Sequence, residues 1–107
     1  MNQAAKLARL QKISDLILDT HLEKLRICAA ARNVSIRGLQ DLTVQPTIDD
    51  SLQFAQSRMR YEAWADTRRA ELNIMLARQT ADWLDEKHAA EKAFGRAQNI
   101  SRLQKDP

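Results

Sequence analysis

The chain has almost nothing that bends, staples or spans. Of 107 residues, two are glycine, two are proline and one is cysteine. So little glycine and proline leaves few breakers, which excludes a turn-rich β-architecture and points to an all-α chain. A single thiol, Cys28, forms no internal disulfide and fits a reducing compartment. No apolar run approaches the ~20 residues of a membrane-spanning helix. Mean hydropathy is -0.53 and 29% of residues are charged, which is the balance of a soluble chain. Residues 1–10 lack the apolar centre of a secretory signal, so the expected location is the cytoplasm. Aromatic residues make up only 5% of the chain. That leaves no platform on which nucleic-acid bases could stack. The net charge of +3 is too small to imply nucleic acid unless it is concentrated.

What is present is helical periodicity on two sides of one breaker. From about 3 to 42, Leu7, Leu10, Ile17, Leu18, Leu22, Leu25, Cys28, Ala29, Ile36 and Leu39 fall in one broad stripe. Ser14, His21 and Arg32 share that stripe, and Gly38 is its weak point. The segment 43–50 (TVQPTIDD) contains Pro46, which cannot continue a helix and moves Gln45 out of helical conformation. Thr47, Asp49 and Asp50 are suited to cap the helix that follows. From about 51 to 104 the periodicity resumes without a proline. Tyr61, Leu72, Trp83 and Phe94 recur every eleven residues there, almost three helical turns, so they predict one apolar line. Phe54, Trp64, Ala65, Met75, Leu76, Ala90, Ala93, Ala97 and Ile100 widen that face, while Arg68 and Gln79 interrupt it.

One short turn predicts an antiparallel two-helix coiled-coil hairpin with a longer C-terminal helix, a single unit over 1–107. If Leu42 and Ser51 flank the turn, Leu39 faces Phe54, Cys28 faces Ala65, Ile17 faces Leu76 and Leu10 faces Trp83. Ser14 then meets Gln79, and Arg32 lies beside Tyr61 and Trp64 as a cation–π contact of about 0.5–2 kcal/mol. In this register the second helix outruns the first beyond about Ala90. Phe94, Ala97, Ile100 and Leu103 would then be uncovered and available to a partner. Each helix also carries a second apolar line. On the first it is Ile13, Leu16, Ile27 and Val34; on the second, Leu52, Met59, Ala63, Ala70, Ile74, Ala77, Ala81 and Leu84. These lines either face water or seal a lateral contact with a second copy or another protein.

Charge is distributed unevenly. Lys6, Arg9 and Lys12 have no acid among them, and Lys87, Lys92, Arg96, Arg102 and Lys105 face only Glu91 over 87–105. The chain ends should therefore form a basic end, and Asp41, Asp49 and Asp50 an acidic one. No catalytic, cofactor or metal residues are expected. Asp85 and His88 have the spacing of half a di-metal carboxylate site, but His21 has Leu18 three residues before it, so the second half is missing. His21 and Cys28 stand ~10.5 Å apart along a helix, too far to share a metal. No phosphate loop, paired cysteine motif or nucleophile–histidine–acid set occurs, and a two-helix hairpin offers no deep pocket for a small-molecule substrate.

A basic first helix containing RLQKISDL, a short turn and a longer basic second helix resembles the FliJ/YscO group of flagellar and type III secretion stalk proteins. Residues 61–76 (YEAWADTRRAELNIML) and 89–103 (AAEKAFGRAQNISRL) carry that resemblance. It implies a non-enzymatic cytoplasmic stalk or adaptor that binds an export ATPase and an export-gate protein. The expected partner-binding residues are Lys6, Arg9, Lys12, Lys92, Phe94, Arg96, Ile100, Arg102 and Leu103. Two alternatives stand beside it: a self-associating four-helix scaffold, and a small basic nucleic-acid-binding protein.

Overall fold

A computed structural model describes residues 2–43 and 52–105. Helix α1 runs from Gln3 to Asp41 and helix α2 from Leu52 to Lys105. They pack antiparallel in a rod of 83 × 20 × 15 Å. The breaker at 43–50 lies outside the described residues except for Thr43.

The ends of α1 are closed by local chemistry. The Asn2 side chain accepts a hydrogen bond from the Ala5 amide at 2.8 Å, an N-cap that satisfies one orphan donor. At the other end the Thr43 hydroxyl donates to the Gln40 carbonyl at 2.6 Å. Arg69 of α2 reaches across to the Leu42 carbonyl at 3.0 Å, so the second helix helps cap the first. Arg102 and Lys105 sit in the last turn of α2, where cations offset the negative end of the helix.

The buried and half-buried side chains follow a seven-residue rhythm on both helices. On α1 they are Leu7, Gln11, Ser14, Leu18, His21, Leu25, Cys28, Arg32, Ser35, Leu39 and Leu42, spaced alternately four and three. On α2 the same spacing runs through Ala65, Arg69, Leu72, Leu76, Gln79, Trp83, Glu86, Ala90, Ala93, Ala97 and Ile100. This is the seam of a left-handed coiled coil, in which a 3.5-residue period keeps one line against the partner. The broad stripes expected from a helical wheel are therefore narrowed. A pair of helices covers only the seam, so Leu10, Ile17 and Leu22 fall outside it and are exposed. The eleven-residue line divides likewise. Leu72 and Trp83 lie in the seam, whereas Tyr61 and Phe94 are exposed.

The register also differs from the one a short turn predicts. Gln79 accepts from Ser35, not Ser14, and Arg32 sits over Trp83, not Tyr61 and Trp64. Gly38 lies against Leu72, so close that an added Cβ would stand 3.2 Å from a Leu72 methyl. Relative to the turn-based pairing, α2 is slid by about 17 residues, roughly 26 Å along the axis. The length of α2 that α1 does not cover is therefore at the opposite end from that expected. Its first turns, from Leu52 to about Trp64, run past the end of α1. Ala90, Ala93 and Ala97 are buried and Ile100 is half-buried, which corrects the expectation of a bare C-terminal overhang.

Candidate protein-interaction surface

The seam is held together by polar side chains as much as by apolar ones. Ser35, only 2% exposed, donates to Gln79 Oε1 at 2.6 Å. One heptad position away, the Arg32 Nε donates to the Thr80 hydroxyl at 3.1 Å. The Arg32 guanidinium also lies 5.5 Å from the Trp83 ring centroid, and Lys87 approaches the same ring at 5.4 Å. Further along, His21 Nδ1 meets Glu86 Oε2 at 3.1 Å, with both side chains about three-quarters buried. Gln11 donates to Asp15 at 2.9 Å, while its own carbonyl oxygen has no partner among the described residues. Buried polar groups lose several kcal/mol if unpaired, so the Ser35–Gln79, Arg32–Thr80 and His21–Glu86 pairs favour this alignment over a slipped one. Polar seam residues fix register at a cost in stability.

The apolar contribution is small by comparison. Leu42, Ala65 and Leu72 form a buried cluster with Leu39 packed against it, near the end of α1. Towards the chain termini the buried α2 residues are all alanine. Alanine lets the backbones approach closely but buries little area, so each layer there contributes little.

The expected partner-binding residues divide between seam and surface. Lys6, Arg9, Lys12, Lys92, Arg96 and Arg102 are exposed, and none takes part in an ion pair among the described residues. Ile100 belongs to the seam. Phe94, 52% exposed, and Leu103 flank it. Phe94 forms one wall of an open apolar notch of about 440 Å³ with Leu18, Leu22, Leu25 and Ala90. Leu103 lines a second hollow with Gln3, Ala4 and Leu7, which places the two chain ends side by side. The basic end is thus assembled from both termini. At the opposite end Asp41 stands level with Arg37, Arg68 and Arg69, so the described residues there are not acidic; Asp49 and Asp50 lie outside them.

Asp85 and His88 do not converge with a second acid and histidine. His88 stands 3.9 Å from Glu91 on the surface, and no cluster suited to a metal ion occurs among the described residues. Cys28 is a half-buried thiol in the seam. On the outer side of α1, Glu23 and Arg26 form a close pair at 2.6 Å. The hydrogen bond from Arg26 holds the Glu23 carboxyl below its ordinary value. No described helix is long and apolar enough to cross a membrane.

Sequence reasoning missed Gln11 and Ser35 on α1 and Arg69 and Glu86 on α2 as seam residues. Each occupies a heptad position set by its neighbours, a signal visible only once the period is taken as seven rather than eleven.

Both second apolar lines are exposed throughout: Ile13, Leu16, Ile27 and Val34 on α1, and Leu52, Met59, Ile74, Leu84 and the intervening alanines on α2. So many large apolar side chains along one rod mark it as an interaction surface. Comparison with protein-family models, curated proteins and solved structures finds no match.

Proposed function

We propose that the chain acts without catalysis, as a coiled-coil stalk or adaptor that binds an export ATPase and export-gate protein of a flagellar or type III secretion apparatus. The observation that carries this reading is the rod itself: 83 Å long, 20 Å wide, with both chain ends at one tip and a set of cations there that are unpaired among the described residues. A slender helical pair can enter a ring-shaped or grooved partner, and its contacts are then made by side faces and tip rather than by a pocket. Exposed lysines and arginines at the tip suit an acidic lining and would speed encounter with it. The export-apparatus part of this reading rests on the resemblance of residues 61–76 and 89–103 to FliJ/YscO stalk proteins.

Co-purification with an export ATPase and an export-gate protein tests this. Wild type should capture one or both, and Arg96→Glu and Phe94→Ala should each weaken capture. If wild type captures neither, the export-stalk reading fails. If both variants bind as wild type does, the partner is not held at the basic end.

A further inference from the structure

The seam has two flanks, and they differ in charge. On one, Leu22, Lys87, Glu91 and Phe94 surround the open notch, with Asp15, Asp19 and Arg26 on the same side of α1. Cations and carboxylates are mixed there. On the other flank the second hollow brings Gln3 beside Leu103. The same two lines continue as Leu10, Ile17 and Lys24 on α1 and as Arg96 and Ala89 on α2, each one position before a seam residue. Further out on this flank stand Lys6 and Ile13 on α1 and Lys92 on α2, with Arg9 at the edge. Leu10, Ile13, Ile17 and Leu103 are between 43% and 56% exposed. Lys6, Arg9, Lys24, Lys92 and Arg96 rim them, and none of these cations enters an ion pair among the described residues. No carboxylate shares the flank between Lys6 and Lys24. Asp82 and Asp85 come level only beyond Lys24, and Glu23 lies on the back of α1.

We propose that this flank docks a partner helix whose apolar stripe is bordered by acidic residues. The charges choose the occupant. A second copy laid on the same flank would bring the uncompensated cations face to face, whereas an acidic helix pairs them. The shape agrees. Leu10, Ile13 and Ile17 step by three and four along α1, the period of a coiled-coil seam. From Lys6 to Lys24 the flank spans ~27 Å, room for about five turns of a third helix. A lipid surface is less suited, because it calls for apolar breadth, and α2 sets Lys92, Arg96 and Asn99 beside one large apolar residue, Leu103. The inference rests on the reading of the chain as a rod gripped at its basic end, but not on the export apparatus. It also divides that end: Lys12 and Phe94 stand on the mixed flank and take no part.

The probe is a synthetic helical peptide of about 18 residues, with leucine and isoleucine at three- and four-residue steps and glutamate beside them. It is titrated into the isotope-labelled whole chain and followed by nuclear magnetic resonance. The amides of Leu10, Ile13, Ile17, Ala89 and Arg96 should shift, and those of Leu22 and Phe94 should not. Lys92→Glu with Arg96→Glu should weaken binding about tenfold or more, with unchanged helical circular dichroism. Phe94→Ala should bind as wild type does, and raised salt should weaken binding. A peptide that does not bind overturns the proposal. So does equal binding of the same peptide with lysine in place of glutamate, or a set of shifts centred on Phe94. Binding to phosphatidylserine–phosphatidylcholine vesicles but not to the peptide would assign the flank to a membrane. Shifts of the same amides on concentrating the chain alone would assign it to a second copy. Either result overturns the proposal. Should the paired glutamates lose helix, Arg96→Gln decides, and binding that it leaves unchanged overturns the proposal. The peptide contains no export protein, so its binding can hold while capture of an export ATPase fails, and the reverse.

Discussion

Helix α1 carries two seams of the same period, and they differ in what they are made of. The covered one reads Leu7, Gln11, Ser14, Leu18, His21, Leu25, Cys28, Arg32, Ser35, Leu39; the open one reads Leu10, Ile13, Ile17, Thr20, Lys24, Ile27, Ala31, Val34. Large apolar residues dominate the open seam, while half of the covered seam is polar or charged. The difference separates two tasks that are usually merged. Hydrogen bonds such as Ser35 to Gln79 and Arg32 to Thr80 specify alignment, since a slip leaves them unpaired in a place water reaches poorly. Apolar area supplies affinity without caring much about alignment. The hairpin is thus well specified but thinly stabilised by its own seam, and its richer apolar line stays exposed.

The contrast is broken most strongly at Leu72, 5% exposed and packed beside Leu42 and Gly38. Leu72→Ala should cost about 2–4 kcal/mol in urea unfolding, because the seam has few other large side chains to close the cavity. A loss under ~1 kcal/mol would show that the seam does not hold the hairpin. Next comes Gln79→Leu, which strands the Ser35 hydroxyl. It should cost about 1–2 kcal/mol, most of it recovered by adding Ser35→Ala. If the double variant is no better than the single one, the hydrogen bond is not what Gln79 contributes. The smallest effect sharpens the comparison from the open side. Ile27→Ala should change the stability of the dilute chain by less than ~0.5 kcal/mol. A full-sized loss at high dilution would place Ile27 inside the hairpin.

Much of this architecture was legible in the sequence. Two helices and their antiparallel packing follow from the single breaker around Pro46 and from apolar periodicity on either side. The alignment was not. Ser14 and Ser35 are separated by whole heptads, so they occupy equivalent positions, and a periodic pattern cannot say which one meets Gln79. A turn assumed to be short selected Ser14. The structure selects Ser35, where Arg69 can also reach the Leu42 carbonyl and His21 can meet Glu86. These are cross-helix pairings between residues more than twenty positions apart, and local propensity carries no information about them. The width of the stripe misled in a related way. A helical wheel at 3.6 residues per turn merges Leu10 and Ile17 with Leu7 and Leu18, although only the latter pair faces α2.

The alignment can be measured directly between exposed positions on the two helices. Gln40→Cys and Asn73→Cys in a Cys28→Ser chain, spin-labelled and diluted with unlabelled protein, give an intrachain distance by pulsed electron resonance. The observed register sets these positions nearly level, which predicts a distribution below about 20 Å. Pairing dictated by a tight turn would place them ~30 Å apart along the axis alone, and a distribution centred beyond that would contradict the polar-seam register.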